Sequence, residues 1–338
     1  MALLAFFLAA LAFAADSSTA PASEPAVTVV VVGDIRLDGP VLAVADAEGD
    51  AAPVSRVAQE LKGDILLGNL EEPLTRRGTP APKKFTFRGP PERVGILNAC
   101  GFTALGLANN HVMDFGPEGL TDTMAALDKA GLPRLGAGKD SKAARKFLTF
   151  ERNGLKVGLL ALTSTVPSEN WARPNRPGTA FANLELVEGW VRAAKAACDV
   201  LVVSFHGGTE LATEPNEIQR AFARTAAAGG ADAVIGHHPH VAQAAEVLGK
   251  TVVVHSVGNF LFESPTAGTE KSLIARLTLT RAGVTRTELV AIDTDGGRPK
   301  PATEAQKGEL RALLDALGAL TARPDLLRLR SVTTPTPN

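Results

Sequence analysis

Tyrosine is absent from the 338 residues, and cysteine occurs only twice. The first absence removes tyrosine as a nucleophile or proton donor. The second excludes a disulfide-stapled mini-protein and any zinc site built mainly from thiolates. Charge of one sign is not in excess either: 35 Lys and Arg face 36 Asp and Glu, leaving a formal net charge of -1. No overall electrostatic footprint for nucleic acid or an anionic membrane follows from that balance, although it allows a local basic patch. Past the first 15 residues no stretch offers 18 unbroken apolar residues, and no repeat recurs at a fixed period. The latter argues against a solenoid or propeller. What is present is a hydrophobic fraction of 45%, enough to bury a sizeable core as one large domain or two small ones.

Residues 1–15, MALLAFFLAALAFAA, form an apolar run that ends in small residues. That is the pattern of a secretory signal with an A-x-A-like cleavage site, and it is short for a membrane span of about 20 residues. No Lys or Arg precedes it, so an uncleaved anchor is the alternative. The mature chain is expected to be exported, periplasmic or extracellular, with a Ser/Ala/Pro-rich linker at 16–26. Cys100 and Cys198 each precede an apolar run; two small buried residues are favoured over a disulfide.

Short runs rich in Val, Ile, Leu and Phe alternate with stretches of helical spacing, the order of an α/β protein. The candidate strands lie at 27–32, 64–68, 102–108, 156–163, 199–205, 232–236 and 251–257. Pro117 opens one helix, with Leu120, Met124 and Leu127 on one face and a stop at Gly131. Another opens near Pro215, carries Ile218 and Phe222 four apart, and ends at Gly229 and Gly230. From Ser272 to Asp295 alternation takes over, predicting a β-hairpin with one wet face. The leucines at 310, 313, 314, 317 and 320 predict an amphipathic helix over 301–320 that closes a single domain spanning 27–300. Residues 321–338 read as a flexible tail.

The placement of the six histidines is the most informative feature. His111, His206, His237, His238 and His240 each fall near the C-terminal end of a candidate strand, where open α/β sheets hold their ligands. Oxygen donors share that address: Asp34 follows the first run, Asn69 and Glu71 the second, and Asn110 the third. Imidazoles, carboxylates and an amide oxygen without thiolates suit two divalent ions such as Mn, Zn or Fe. One carboxylate shared between two ions would make a two-metal site that activates water. In Gly236-His237-His238-Pro239-His240, an extended backbone would turn 238 and 240 to one side. His111 is placed to protonate a leaving group. His255, inside TVVVHSV, reads as a core histidine, or one that supports a ligand from behind, rather than a ligand.

At these residues the chain resembles the bacterial capsule synthesis protein CapA family, the poly-γ-glutamate capsule proteins, a branch of the calcineurin-like metallophosphoesterases. The resemblance runs from about Val27 to Phe262. Its motifs stand in the family's order: Gly33 and Asp34; Asn69 to Glu71; Ala108 to His111 with Asp114, Gly116, Gly119 and Leu120; Gly136 to Gly138; His206, Gly208 and Glu210 with Pro215 and Gln219; Gly229 to His240; and Ser256 to Phe260. It implies an α/β fold, a two-sheet α-β-β-α sandwich of the metallophosphoesterase type. It also implies that Asp34 binds a first metal, that Glu71 bridges, and that Asn110, His206 and one or two of His237, His238 and His240 complete the pair. His238 and His240 match the superfamily's Gly-His-x-His better than His237. His111 takes the acid role.

Three departures stand out. The superfamily's Asp-x-His is Asp34-Ile35-Arg36 here, so one imidazole is lost and a cation sits nearby, either to clamp an anionic substrate or to weaken the first metal by repulsion. Gly207 stands where the family often has an aromatic residue. Glu71 replaces the superfamily's usual bridging aspartate. The implied activity is hydrolysis of a phosphoester or related bond outside the cytoplasm, with an anionic polymer or phosphoester as substrate, a membrane-bound capsule synthase or export machinery as partner, and no nucleic acid. Two other readings stand beside it. One is a non-catalytic assembly factor that binds polyanion through Lys83, Lys84 and Arg88; the other is a metal-dependent γ-glutamyl amide hydrolase.

Overall fold

The computed structural model describes residues 24–333; the apolar N-terminal segment, most of the linker and the last five residues lie outside it. Strands in chain order are β1 (Val27–Ile35), β2 (Ile65–Leu70), β3 (Ala104–Gly106), β4 (Arg134–Leu135), β5 (Ala137–Gly138), β6 (Leu148–Arg152), β7 (Leu155–Thr163), β8 (Gly178–Thr179) and β9 (Val200–His206). They continue as β10 (Ala233–His237), β11 (Ala245–Leu248), β12 (Thr251–Val254), β13 (Asn259–Leu261), β14 (Lys271–Thr280), β15 (Gly283–Asp293), β16 (Lys300–Pro301) and β17 (Leu327–Arg330). One sheet runs β16-β15-β14-β1-β2-β3-β4, with β13 added to β1 and β17 to β15; the other runs β11-β12-β10-β9-β7-β6. A short β5–β8 ribbon stands apart.

The near-continuous apolar runs are strands covered on both faces, as parallel sheets require. Alternate residues point into one core between the sheets: Val27, Val29 and Val31 of β1 meet Val157, Leu159, Val200, Val202 and Ile235 of the facing sheet. The other faces are covered by helices. Val30, Val32, Leu66 and Leu105 pack with Val41, Ile96, Leu97, Leu120 and Leu127 on one side. Leu160, Leu201, Val203 and Val234 pack with Val187, Val191, Phe222 and Ala226 on the other. This is the α-β-β-α sandwich that the family resemblance implied. β1, β2 and β3 are mutually parallel, as are β7, β9, β10 and β12, so each sheet gathers its C-terminal strand ends along one edge.

Four local expectations are corrected. The β14–β15 hairpin forms, but β14 sits inside the sheet beside β1, and Ile274, Val290 and Ile292 on its outer face are buried; only the part near Arg276, Thr278 and Arg286 is wet. Ile218 is 49% exposed, because the helix Glu217–Ala228 buries Gln219, Phe222, Ala223 and Ala226 instead. The helix expected over 301–320 runs Glu304–Leu314 and breaks near Gly318, whose φ of +73° only glycine adopts cheaply. Residues 321–333 are not a loose tail: Leu327–Arg330 pair in parallel with β15, and the Arg330 guanidinium forks onto buried Glu60 at 2.9 and 2.6 Å. Cys100 is buried and Cys198 partly so, and both are free thiols.

Candidate metal centre

Both parallel strand sets deliver their C-terminal ends to one place. Asp34 is the penultimate residue of β1 and pairs in register with Asn69 of β2 and Asn259 of β13. Gly33 makes that approach possible, since a Cβ there would stand 2.0 Å from the Gly258 carbonyl oxygen. Glu71 follows β2, Asn110 follows β3, and His206 and His237 end the paired strands β9 and β10. His238 and His240 lie in the next turn at φ +96° and +59°. That backbone is left-handed, not extended as the spacing alone suggested, and such strain in non-glycine residues concentrates at functional sites. Its effect is to send the two imidazoles to different places rather than to one side.

Two groups of donors result, and Glu71 belongs to both: Glu71 with His206 and His238, and Glu71 with Asp34 and His240. In the first, His206 Nε2 stands 3.2 Å from Glu71 Oε1 and 2.8 Å from Asn110 Oδ1. In the second, His240 Nδ1 stands 3.3 Å from Asp34 Oδ2 and 3.9 Å from Glu71 Oε2. Asp34 and Glu71 are fully buried. Among the described residues neither carboxylate oxygen of Glu71, nor Nδ1 of His238, nor either ring nitrogen of His237 has a hydrogen-bond partner. Buried polar atoms are satisfied almost everywhere in folded proteins, so this set of orphaned oxygen and nitrogen lone pairs facing one another fits cations between them. The donors suit Mn, Zn or Fe; His237, 3.6 Å from Asp34 Oδ1 by its Nδ1, lies beside the two groups rather than in them.

Electrostatics agree with the donor geometry. Burial depresses His206 to about 3, His237 to about 4 and His238 well below the ordinary histidine value, which leaves neutral imidazoles ready to coordinate. Burial, with the Asp34 carboxylate adding to it, pushes Glu71 up to about 8. For His240 burial acts downward, but Glu71 and Asp34 overcome it and raise the group to about 10. Asp34 is held well below the usual carboxylate range; burial, the largest single influence, opposes this, and the hydrogen bond with His240 together with the charges of His206, His240 and His237 outweighs it. Without cations the cluster therefore keeps protons where positive charge is wanted.

Next to the groups, His111 Nδ1 donates to Asp114 Oδ2 at 2.7 Å, which fixes the tautomer and leaves Nε2 outside the pair. Lys83 Nζ contacts Asp114 Oδ1 at 2.5 Å and donates to the Asn110 carbonyl at 3.0 Å. Lys83 is thus turned inward, and Lys84 and Arg88 lie over the rings of Phe85 and Phe115. Arg36 is not an open clamp. Its guanidinium pairs with Asp38 and lies 3.9 Å over Phe87, whose ring stacks on His111 at 3.9 Å. Asn109 holds the turn by accepting from the His111 and Val112 amides and donating to Asn69 and Leu70. Gly207 leaves no room for an aromatic residue, because its Cβ would meet Ser164 Oγ at 2.3 Å. His255 stays outside the centre, bonded to Glu246 at 2.7 Å.

Residues 28–264 match the family described as bacterial capsule synthesis protein PGA_cap. The chain belongs to that family. It is 32% identical over 82% of its length to the PGA biosynthesis protein CapA of Bacillus subtilis, covering 74% of that protein. It is 31% identical over 82% of its length to the capsule biosynthesis protein CapA of Bacillus anthracis, covering 70% of it. Among solved structures, a 5'-nucleotidase precursor from Thermus thermophilus aligns over 88% of this chain and 60% of its own, at 16% identity and a TM-score of 0.49.

Family motifs pointed to Asp34, Glu71, Asn110, His206, His238 and His240, and the structure brings these together. Two residues that touch them carry no metal-centre role in the sequence reading. Lys83 gave no signal beyond the charge that suggested a polyanion contact. Asn259 had one: like Asn110, it is a polar residue directly beside a buried apolar run.

Proposed function

We propose that this chain is an exported, metal-dependent hydrolase that cleaves a phosphoester or related bond in the making or export of an anionic poly-γ-glutamate capsule. One observation carries the reading: a buried carboxylate, Glu71, shared by two donor groups, with neither oxygen otherwise satisfied. The names of the Bacillus relatives support the capsule context. Divalent ions held there would bring a water's pKa toward neutrality and offset charge building on the reacting oxygens. Asp34, Glu71, Asn110, His206, His238 and His240 would hold them.

The rest of the chemistry falls to the chain itself. His111, with Nδ1–H engaged by Asp114, presents Nε2 to the departing oxygen and, as the imidazolium carrying a hydrogen on both nitrogens, gives it the Nε2 proton and returns to the neutral ring. Lys83 pairs with the Asp114 carboxylate and pins the Asn110 backbone, so the acid and an ion ligand hold a fixed spacing. Phe87 and Arg36 stack behind His111 and limit its ring rotation. Asn69 Nδ2 donates to Asp34 Oδ1 at 2.8 Å and orients that carboxylate.

Export rests on residues 1–15; among the described residues no helix is long and apolar enough to cross a membrane. Manganese-loaded protein should hydrolyse an activated phosphodiester, and His206→Ala should abolish turnover while keeping the circular dichroism of the parent. Undiminished turnover in that variant would remove the proposal's basis. A loaded protein inert to phosphoesters but active on γ-glutamyl polymer would move the substrate to the amide.

A further inference from the structure

The two donor groups are unequal. Around His206 and His238 stand Glu71 and the amide oxygen of Asn110, four candidate donors from four positions. Among the described residues, the charged donors grouped with His240 are Asp34 and Glu71. We infer that the side-chain oxygen of Asn259 is a further ligand of the ion held by Asp34, Glu71 and His240, doing for that ion what Asn110 does for the other. The inference rests on the two-ion reading above and concerns which atoms complete it.

Asn259 is fully buried, and its Oδ1 stands 2.9 Å from His240 Nδ1, nearly the 2.8 Å that separates Asn110 Oδ1 from His206 Nε2. The same His240 nitrogen faces Asp34 Oδ2 and Glu71 Oε2, so Nδ1 is the nitrogen aimed at the ion. A coordinating nitrogen carries no proton. With Nδ1 turned to an ion, the ring cannot also donate to Asn259, so a ring nitrogen and an amide oxygen stand at hydrogen-bond distance with no hydrogen between them. That contact is repulsive unless a cation lies between them. Turning the amide over would not relieve it, because Asn259 Nδ2 already points to the Thr269 carbonyl, at 3.5 Å.

The placement is built into the backbone. Asn259 pairs in register with Asp34, its amide donates to Ser272 Oγ at 2.9 Å, and the preceding Gly258 takes φ +74° to bring the chain in. The side-chain-free Gly33 admits that same approach. A neutral amide oxygen adds a ligand without adding charge to a centre that already holds two buried carboxylates.

The test is manganese titration of the full chain by calorimetry and electron paramagnetic resonance, with Asn259→Ala, Asn259→Asp and Asn110→Ala beside the parent. The parent should bind two ions with the spectrum of an interacting pair. Asn259→Ala should weaken one ion by about 100-fold or more and leave an isolated-ion spectrum, Asn110→Ala should weaken the other, and Asn259→Asp should keep both. Should Asn259→Ala fail to fold, a crystal structure of the manganese-loaded parent decides: Oδ1 at roughly 2.2 Å from the ion supports the inference, and Oδ1 beyond about 3 Å overturns it. Two ions bound in Asn259→Ala at parental affinity would overturn it as well. A parent that takes up no manganese would instead refute the two-ion reading itself.

Discussion

Replacing Glu71 with glutamine separates a metal-holding carboxylate from a structural one, because the two roles predict opposite changes. The substitution keeps shape and removes the charge shared by both donor groups. Each ion at 100 times its dissociation constant adds about 2.7 kcal/mol of stability. For roughly 300 ordered residues the unfolding entropy near 60 °C is about 0.6 kcal/mol per kelvin, so each ion should raise Tm by about 4 °C and two by about 8 °C. In Glu71→Gln the rise should fall below about 2 °C. The metal-free variant should meanwhile be at least as stable as the metal-free parent. Glu71 is raised from 4.5 to about 8 in the fold, so the folded state binds more protons than the unfolded state between those values, and the parent loses stability as pH climbs through that window. Glutamine has no such loss, and its advantage should grow from pH 4.5 to pH 8 and then level off. Scanning calorimetry with excess manganese or with EDTA, at pH 5 and pH 9, reads both effects. A full 8 °C metal-induced rise in the variant, or a metal-free variant well below the parent at pH 9, would refute the reasoning.

Further outcomes follow from the same geometry. Because Glu71 and His240 hold protons to about 8 and about 10, cations must displace them; affinity for the ion beside Asp34 should rise with pH by about tenfold per unit for each proton released, and calorimetry in buffers of different ionisation heat should count up to two near pH 7. A pH-independent affinity would contradict this. His111→Asn should lower turnover of an activated phosphodiester by about 100-fold or more with metal content unchanged, and Asp114→Asn should lower it through the wrong imidazole tautomer. Gly236→Ala should prevent folding or cost several kcal/mol in urea denaturation, since its Cβ would sit 1.9 Å from the His255 carbonyl oxygen; near-parental stability would show that the β10–β12 contact yields easily.

The buried strands of an α/β fold were legible because strands covered on both faces must be almost wholly apolar, and VTVVVVG, DVLVVSF and DAVIG are; their division into two facing sheets came from the family resemblance. The centre was legible because polar residues directly after such runs lie at the sheet edge, which found Asp34, Glu71, Asn110 and His206. Less was readable where geometry departs from periodicity. Nothing in Gly236 to His240 announced two left-handed residues, so the divergence of His238 and His240 had to be seen. Arg36 looked available as a charge near an anion site, yet Asp38 and Phe87 occupy it. The strand at Leu327–Arg330 was written in the alternation of Leu327 and Leu329 with Arg328 and Arg330, but four residues near a chain end are a weak signal until Glu60 and Glu288 are seen to receive the arginines.

Counting metal bears most directly on the claim that distant oxygen and imidazole donors form one cation-holding centre. Elemental analysis of the purified, dialysed chain should give close to two divalent ions per polypeptide, falling toward zero in Glu71→Gln. A metal-free parent that takes up none on titration, or a variant that keeps both ions, would contradict it.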